Sequence, residues 1–152
     1  MPEPELRIRR RRLPHWTLDG STYFITFRVA GSPLPPAERQ VVLSHICSGH
    51  GTFYDLAATM IMPDHAHLIL KPRGGLILSR IMKGIKGVSA RRLNELRGTT
   101  GGVWQDESWD RILRDAAEFE EKLQYMIDNP VKLGLVNDGM EYDGWYFNPE
   151  FA

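Results

Sequence analysis

Alternating apolar and polar residues predict several strands along the chain. The segment 22–29 alternates, with Tyr23, Ile25, Phe27 and Val29 on one side, which is typical of a strand. The segment 52–62 is rich in Phe, Tyr, Ile and Met, and the segment 65–71 alternates again. A fourth strand-like stretch, 103–113, follows a glycine-rich turn. Four short strands separated by turn residues therefore form the expected sheet.

Apolar residues at helical spacing predict three helices between and after these strands. The first begins at Pro36 and runs to about Cys47. The second occupies the long basic segment that follows the third strand. Its apolar residues are Leu78, Ile81, Met82, Ile85 and Leu93. The third begins at Asp115 and Glu118, which form a pattern like a capping box, and runs to about Asn129.

The order of elements is strand, helix, strand, strand, helix, strand, followed by an extra helix. This order predicts an α+β fold of the ferredoxin-like split β-α-β type. Its antiparallel sheet has helices on one face, and the extra C-terminal helix carries Tyr125. We expect residues 15–136 to form the domain, residues 1–14 a basic, flexible arm, and residues 137–152 a tail packed on the domain.

Charge is segregated along the chain although its formal net value is zero. An arginine-rich arm lies within residues 1–14, eight basic residues and one acid lie within 71–97, and seven acids cluster within 106–121. Such segregation allows one face to bind a polyanion. It is equally typical of a solvated helix face beside a disordered arm.

Composition predicts a single soluble domain. The chain has 152 residues, of which 42% are hydrophobic and 25% charged. Cys47 is the only cysteine, which suits a reducing compartment. No secretory signal follows the N-terminus and no apolar run is long enough to cross a bilayer. We therefore expect a cytoplasmic protein without a membrane partner.

Two histidines, His65 and His67, form the sharpest local signal. Residues two apart on a strand project from the same face, roughly 7 Å apart, so both imidazoles can reach one cation. Ala66, Leu68 and Leu70 occupy the opposite, apolar face. The alternative is a pair of polar residues facing solvent or a helix, since a pair alone is a weak metal signal.

A second signal lies on the last predicted helix, where Tyr125 and Asn129 are one turn apart on one face. That face is distinct from the apolar stripe, which consists of Phe119, Leu123, Met126 and Ile127. Pro130 disfavours helical geometry at Asn129, which places Asn129 at the helix end. Its side chain could cap the helix. In the functional interpretation, its amide oxygen is a third metal ligand and Tyr125 is a nucleophile.

The combination resembles the single-tyrosine transposases whose metal site is called HUH, for histidine, hydrophobic residue, histidine. Residues 62–68 resemble the family's histidine strand, and residues 103–105 with Trp109 and Asp110 resemble its tryptophan-containing strand. Residues 125–136, reading YMIDNPVKLGLV, are similar to its nucleophile helix and point to the REP-associated branch. Arg111 departs from the family, which often has a histidine there.

The resemblance implies a magnesium or manganese ion held by His65, His67 and Asn129. It also implies that Tyr125 attacks DNA and forms a 5′-phosphotyrosine, so that strands are cleaved and rejoined. The implied substrate is single-stranded DNA with a hairpin or palindromic element. The implied setting is the bacterial cytoplasm, with association to the nucleoid when DNA is bound. The chain could work as a homodimer or as a monomer.

Basic residues on the second helix are the candidate DNA-binding residues, since phosphate neutralisation supplies much of the affinity for DNA. They are Lys83, Lys86, Arg91 and Arg92. Trp104 or Trp109 could stack on unpaired bases, although either could belong to the core.

Two other function classes remain open. A ferredoxin-like domain that only binds nucleic acid would need exposed aromatic residues on its central strands. A metal-dependent phosphohydrolase would use water as its nucleophile and would form no covalent adduct.

Overall fold

The computed structural model describes residues 20–151, and the predicted arm of residues 1–14 lies outside this range. The strands are β1 (Thr22–Val29), β2 (Tyr54–Ile61), β3 (His65–Pro72), β4 (Trp104–Leu113) and β5 (Trp145–Phe147). The helices are α1 (Pro36–Ser48), α2 (Leu78–Arg97) and α3 (Ala116–Lys132), and a short 3₁₀ turn covers Gly139–Glu141. The predicted order of strands and helices is confirmed, and β5 is an addition from the tail.

One antiparallel sheet contains all five strands in the order β4-β1-β3-β2-β5. This arrangement confirms the predicted α+β class with its split β-α-β core. The histidine strand, β3, pairs with β1 on one side and with β2 on the other. Its side chains therefore project from the middle of the sheet.

The first two helices cover one face of the sheet. Ile25 and Phe27 of β1 and Leu68 of β3 pack in one apolar cluster with residues of α1 and α2. A bidentate ion pair joins the two helices, because the Arg97 guanidinium donates to both carboxylate oxygens of Glu38 at 2.6 and 3.0 Å. This face is the expected one, since it carries the apolar residues of the alternating strands.

The last helix covers the opposite face, so the sheet lies between two helical layers. Phe119 and Leu123 of α3 pack with Phe24 of β1 and Ile69 of β3 in a second cluster. The helix begins where the capping pattern predicts, since the Asp115 carboxylate accepts from the backbone N–H of the third helical residue at 2.9 Å. This packing sets α3 over the side of β3 that carries the histidines.

The predicted end of α3 at Asn129 is wrong, because the helix continues to Lys132. Pro130 has no backbone N–H, so the helix loses one hydrogen bond to the preceding turn. The ring of Pro130 is buried, and its packing offsets that loss. The backbone N–H of Leu133 donates to the Asn129 carbonyl at 3.4 Å, so the last turn stays closed. Asn129 therefore lies inside the helix, and its side chain is not needed as a cap.

The tail of the chain packs across the edge of the sheet next to β2. Tyr142 and Phe151 are buried in the cluster beneath α3. The buried Arg39 guanidinium of α1 donates to the Asp143 carboxylate at 3.1 and 3.2 Å and to the Leu34 carbonyl at 2.9 Å. The tail therefore links the two helical layers at that edge. Within residues 20–151, no helix has the length and apolar content that a membrane span requires.

A candidate active site between the sheet and the last helix

Strand alternation places His65 and His67 on the face of β3 that α3 covers. Their exposed fractions are 6% and 3%, so neither faces solvent. Thr26 of β1 lies opposite His67 in the antiparallel register, and Arg28 lies opposite His65. The site therefore has two strands as its floor and one helix as its wall.

Three side chains from two elements converge at this place. The Nε2 atoms of His65 and His67 are 3.1 Å apart, and the Asn129 Oδ1 atom lies 2.8 Å from His65 Nε2. The two rings meet edge to face with centroids 4.6 Å apart. The structure thus brings together all three residues that the resemblance implied as metal ligands.

The outward ring nitrogen of each histidine also has a partner. His65 Nδ1 lies 2.7 Å from the Asp64 carboxylate, and His67 Nδ1 lies 2.8 Å from the Thr26 hydroxyl. A protonated Nδ1 that donates to these oxygens leaves Nε2 as a lone-pair donor. Hydrogen bonds of this kind fix the orientation and tautomer of histidines that ligate metals.

Burial keeps His67 neutral. Burial, together with the nearby charges of His65 and Arg28, lowers the pKa of His67 to about 3, against the opposing effect of the Asn129 hydrogen bond. The hydrogen bond to His65 lowers the pKa of the Asp64 carboxyl. At neutral pH His67 therefore presents an unprotonated nitrogen to the site, which is the form that ligates metals.

The donor set fits a divalent cation. Adjacent ligands of an octahedral ion, each about 2.1 Å from it, are separated by roughly 3 Å, which is close to the two measured spacings. No group of three His, Cys, Asp or Glu residues suited to a metal exists within residues 20–151. The amide oxygen of Asn129 is thus what completes a set of three donors, and mixed nitrogen and oxygen donors suit manganese and related ions.

Tyr125 lies beside these donors on the same helix, one turn before Asn129. Its ring centroid is 5.4 Å from that of His67 and 6.1 Å from that of Phe24, in edge-to-face contacts. Its exposed fraction of 42% leaves it open to an incoming substrate. The ammonium groups of Lys122 and Lys132 lie 5.5 and 5.9 Å from its ring centre. In this chain the tyrosine faces the histidines of its own sheet.

The candidate DNA-binding residues Lys83, Lys86, Arg91 and Arg92 all lie on α2, on the other side of the sheet from Tyr125. The Lys86 ammonium donates to the Gln105 carbonyl at 2.7 Å and to the Ser108 hydroxyl at 3.1 Å, so it holds β4 in place. That these four residues contact DNA stays a prediction. Any such contact would lie on the other side of the sheet from the candidate active site.

The two tryptophans of β4 have different environments. Trp104 is 7% exposed, packs edge to face on Phe27, and donates from Nε1 to the Ser89 hydroxyl at 2.9 Å. This side chain belongs to the core and is closed to bases, which overturns its candidacy for stacking. Trp109 is 49% exposed and lies on the same side of the sheet as Thr26, its neighbour in the register.

Sequence reasoning missed three residues of this region, Thr26, Arg28 and Asp64, whereas helical spacing already put Lys122 on the face of Tyr125. Thr26 and Arg28 occupy the polar positions of the alternating strand β1, and that pattern alone places them on the histidine side of a sheet. Asp64 contacts the adjacent His65, so its contact is local, whereas the contact of Lys122 with Phe24 depends on how α3 packs on the sheet. Arg111, which replaces the family's histidine, points to the same side and lies 3.5 Å from the Glu118 carboxylate.

The fold and the site together define a ferredoxin-like protein with a two-histidine centre served by a tyrosine helix. A family model described as "Transposase IS200 like" matches residues 38–113, a span that includes both histidines and all of β4. The chain belongs to this family of IS200-like transposases. The match ends before α3, so the positions of Tyr125 and Asn129 rest on the geometry above.

Similar proteins come from the same group. A Haemophilus influenzae protein named as a REP-associated tyrosine transposase is 28% identical over 93 residues, which cover 55% of this chain and 53% of that protein. The match therefore spans about half the length of that relative.

Two solved structures share the fold. One, a REP-associated tyrosine transposase bound to a REP hairpin, has a TM-score of 0.67 and 21% identity, and covers 86% of this chain and 79% of that one. The other, assigned as a transposase from Deinococcus radiodurans, has a TM-score of 0.51 and 20% identity, and covers 78% of this chain and 96% of that one.

Proposed function

We propose that the chain is a metal-dependent endonuclease of the transposase type that cleaves and rejoins single-stranded, hairpin-bearing DNA through Tyr125. One observation carries this proposal. A single helix brings Asn129 within 2.8 Å of His65 and holds the ring of Tyr125 5.4 Å from that of His67. Metal donors and a nucleophile therefore meet over the middle of the sheet, on the face that α3 covers.

His65, His67 and Asn129 are the residues that would hold a magnesium or manganese ion. Such an ion, when bound, supplies Lewis-acid polarisation of the scissile phosphate. The histidines serve this role because Asp64 and Thr26 engage their outward nitrogens. Asn129 adds a neutral oxygen, so the ligand set itself leaves the full positive charge of the cation available to a phosphate.

Tyr125 carries out the chemical step as nucleophile. Its phenolic oxygen forms a bond to phosphorus, and the bond from phosphorus to the 3′ oxygen of the preceding nucleotide breaks. The phenolic proton leaves to water at this exposed position, and the departing 3′ oxygen takes a proton from water. One phosphodiester replaces another, so a 3′-hydroxyl can reverse the step and rejoin DNA without an energy source.

The structural relative bound to a REP hairpin supports hairpin-bearing DNA as the substrate class of this chain. The cleavage site beside the hairpin is taken to be unpaired, as the resemblance to the single-tyrosine transposases implies. The arrangement of Tyr125 with the histidines of its own chain supports action within one protomer. A homodimer stays a prediction.

The test is incubation with hairpin-bearing single-stranded DNAs that have randomised unpaired flanks, in the presence of Mg²⁺ or Mn²⁺. Label is placed at the 3′ end in one preparation and at the 5′ end in another. On a denaturing gel, we expect the 3′-labelled fragment to migrate with the protein and the 5′-labelled fragment to run free. This polarity follows from a 5′-phosphotyrosine.

Tyr125→Phe should abolish the covalent band, whereas Tyr146→Phe, a half-buried tyrosine on β5, should retain it. Cleavage that persists in Tyr125→Phe would contradict the proposal and favour a hydrolase with water as nucleophile. Binding without cleavage in every metal condition would favour the role of a binding domain.

A further inference from the structure

A cleft next to Tyr125 holds groups that the proposed function has not used. We propose that this cleft is the subsite for the nucleotide flanking the scissile phosphate, with Trp109 stacking on its base and Arg28 and Lys122 binding its phosphates. The inference rests on the proposed function, because it takes Tyr125 as the point of attack. It assigns the contacts to unpaired DNA to the side of the sheet opposite the basic helix α2.

Three elements build the cleft. The face of β1 supplies Arg28, β4 supplies Trp109, and α3 supplies Lys122 and Tyr125, with His67 at the inner end. Its volume is about 450 Å³, which lies in the range of pockets that hold small ligands. Because Tyr125 and His67 line the same space, a nucleotide in the cleft lies directly beside the reacting phosphate.

Charge in the cleft favours an anion. Two cations and no carboxylate line it. Within residues 20–151, no carboxylate forms an ion pair with Arg28, so its guanidinium is available for bidentate contact with a phosphate. The Lys122 ammonium lies 3.8 Å from the carboxylate of the exposed Glu121, a long contact that solvent screens.

Lys122 is aimed at the cleft by the rings that flank it. Its ammonium lies 5.4 Å from the ring centre of Phe24 and 5.5 Å from that of Tyr125. These contacts limit where a long side chain can go, and they leave the ammonium's donors free for oxygen atoms. A phosphate between Lys122 and Arg28 would therefore lie close to the tyrosine.

Trp109 provides the stacking surface. It is 49% exposed although it sits in the middle of a strand, because β4 is an edge strand of the sheet. Exposed aromatic side chains are what single-strand binding proteins use to hold bases. Thr26 lies opposite Trp109 in the strand register and contacts His67. This arrangement fixes the distance between a base stacked on Trp109 and the candidate metal site.

The first test measures binding without chemistry. In a Tyr125→Phe background with EDTA, the dissociation constant for an oligothymidylate about 12 nucleotides long is measured as salt is varied. Each phosphate contact on a single strand contributes about 0.7 to the slope of log affinity against log salt. Arg28→Gln and Lys122→Gln should each reduce the slope by about that amount. Arg80→Gln, an exposed cation on α2, should leave it unchanged.

The second test addresses stacking. Trp109→Ala should weaken binding about 5- to 100-fold, and Trp109→Phe should recover most of the loss, since a phenyl ring also stacks. A fluorescent adenine analogue placed at successive positions should be quenched at one position in the parent protein and not in Trp109→Ala. Ile112→Ala, an exposed apolar change on the opposite face of β4, is the matched control.

Unchanged salt slopes in both cation variants, or quenching that survives Trp109→Ala, would overturn the subsite. These outcomes are separate from the proposed function. A protein with wild-type Tyr125 that forms no adduct, yet binds through Trp109, contradicts the nuclease and makes the cleft a binding site for single-stranded DNA without a scissile phosphate. A protein that forms the adduct with unaltered affinity in all three variants contradicts the subsite alone.

Discussion

The amide oxygen of Asn129 lies 2.8 Å from Nε2 of His65, although the two residues are 64 positions apart in the chain. This contact ties α3 to the central strand of the sheet. It also sets the position of Tyr125, one turn earlier on the same helix. A single helix placement therefore controls both the candidate metal site and the proposed nucleophile.

Asn129→Ala should weaken Mn²⁺ binding more than about 10-fold, since even the loss of an outer hydrogen-bond partner costs about 10- to 100-fold. Asn129→Asp keeps an oxygen donor and adds charge, so it should bind at least as tightly as the parent protein. Isothermal titration calorimetry of the purified proteins measures both. Equal affinity in the parent and Asn129→Ala would remove Asn129 from the ligand set.

Thr26→Val should lower metal affinity about 10- to 100-fold while leaving the fold intact. The change removes the oxygen that lies 2.8 Å from His67 Nδ1, so the imidazole loses the contact that holds its orientation. Thr26→Ser retains the hydroxyl and should restore affinity. Mn²⁺ titration followed by electron paramagnetic resonance distinguishes the variants, and a Thr26→Val protein with parental affinity would contradict the positioning role.

Gly139→Ala should destabilise the protein by about 3 kcal/mol or more. A Cβ at this position would lie 1.7 Å from the backbone oxygen of Ile127 in α3, which cannot move aside. Gly87→Ala adds a methyl group with open space around it in α2, and should stabilise by up to about 1 kcal/mol. Urea denaturation followed by circular dichroism measures both changes. A neutral Gly139→Ala would show that the tail is not packed against α3.

Ser89→Ala should cost about 1–3 kcal/mol because it leaves the buried Trp104 Nε1–H without its acceptor. In a Trp104→Phe background the donor is gone, and the same serine change should cost much less. A double-mutant cycle in urea denaturation isolates the difference. Equal costs in the two backgrounds would mean that the hydrogen bond contributes nothing to stability.

Much of the fold followed from local pattern, because alternation marked one apolar face on β1 and β3, although the sheet buries both faces of β3. The alternation around Phe27 and Leu68 predicted which face packs on α1 and α2. The end of α3 was not predicted correctly from local pattern. The backbone preference before Pro130 argued for a stop at Asn129, but burial of the proline ring outweighed the lost hydrogen bond.

The residues of the candidate site were also only partly predictable from local sequence patterns. His65, His67, Tyr125 and Asn129 could be singled out because their spacing on a strand or helix implies a shared face. Helical spacing placed Lys122 on the face of Tyr125, but the position of Trp109 beside them depends on how α3 packs on the sheet. The cluster of basic residues in the sequence made α2 the candidate DNA-binding helix. The fold places α2 on the far side of the sheet from Tyr125.

The most direct test of the account is to locate the covalent bond. The DNA adduct is digested with nuclease and trypsin and analysed by tandem mass spectrometry. Cleavage after Lys122 and Lys132 yields the peptide 123–132, in which Tyr125 is the only tyrosine. We predict that this peptide carries a nucleotide through its 5′ phosphate on Tyr125. An adduct on any other residue, or cleaved DNA with a free 5′ phosphate and no adduct, would contradict the account.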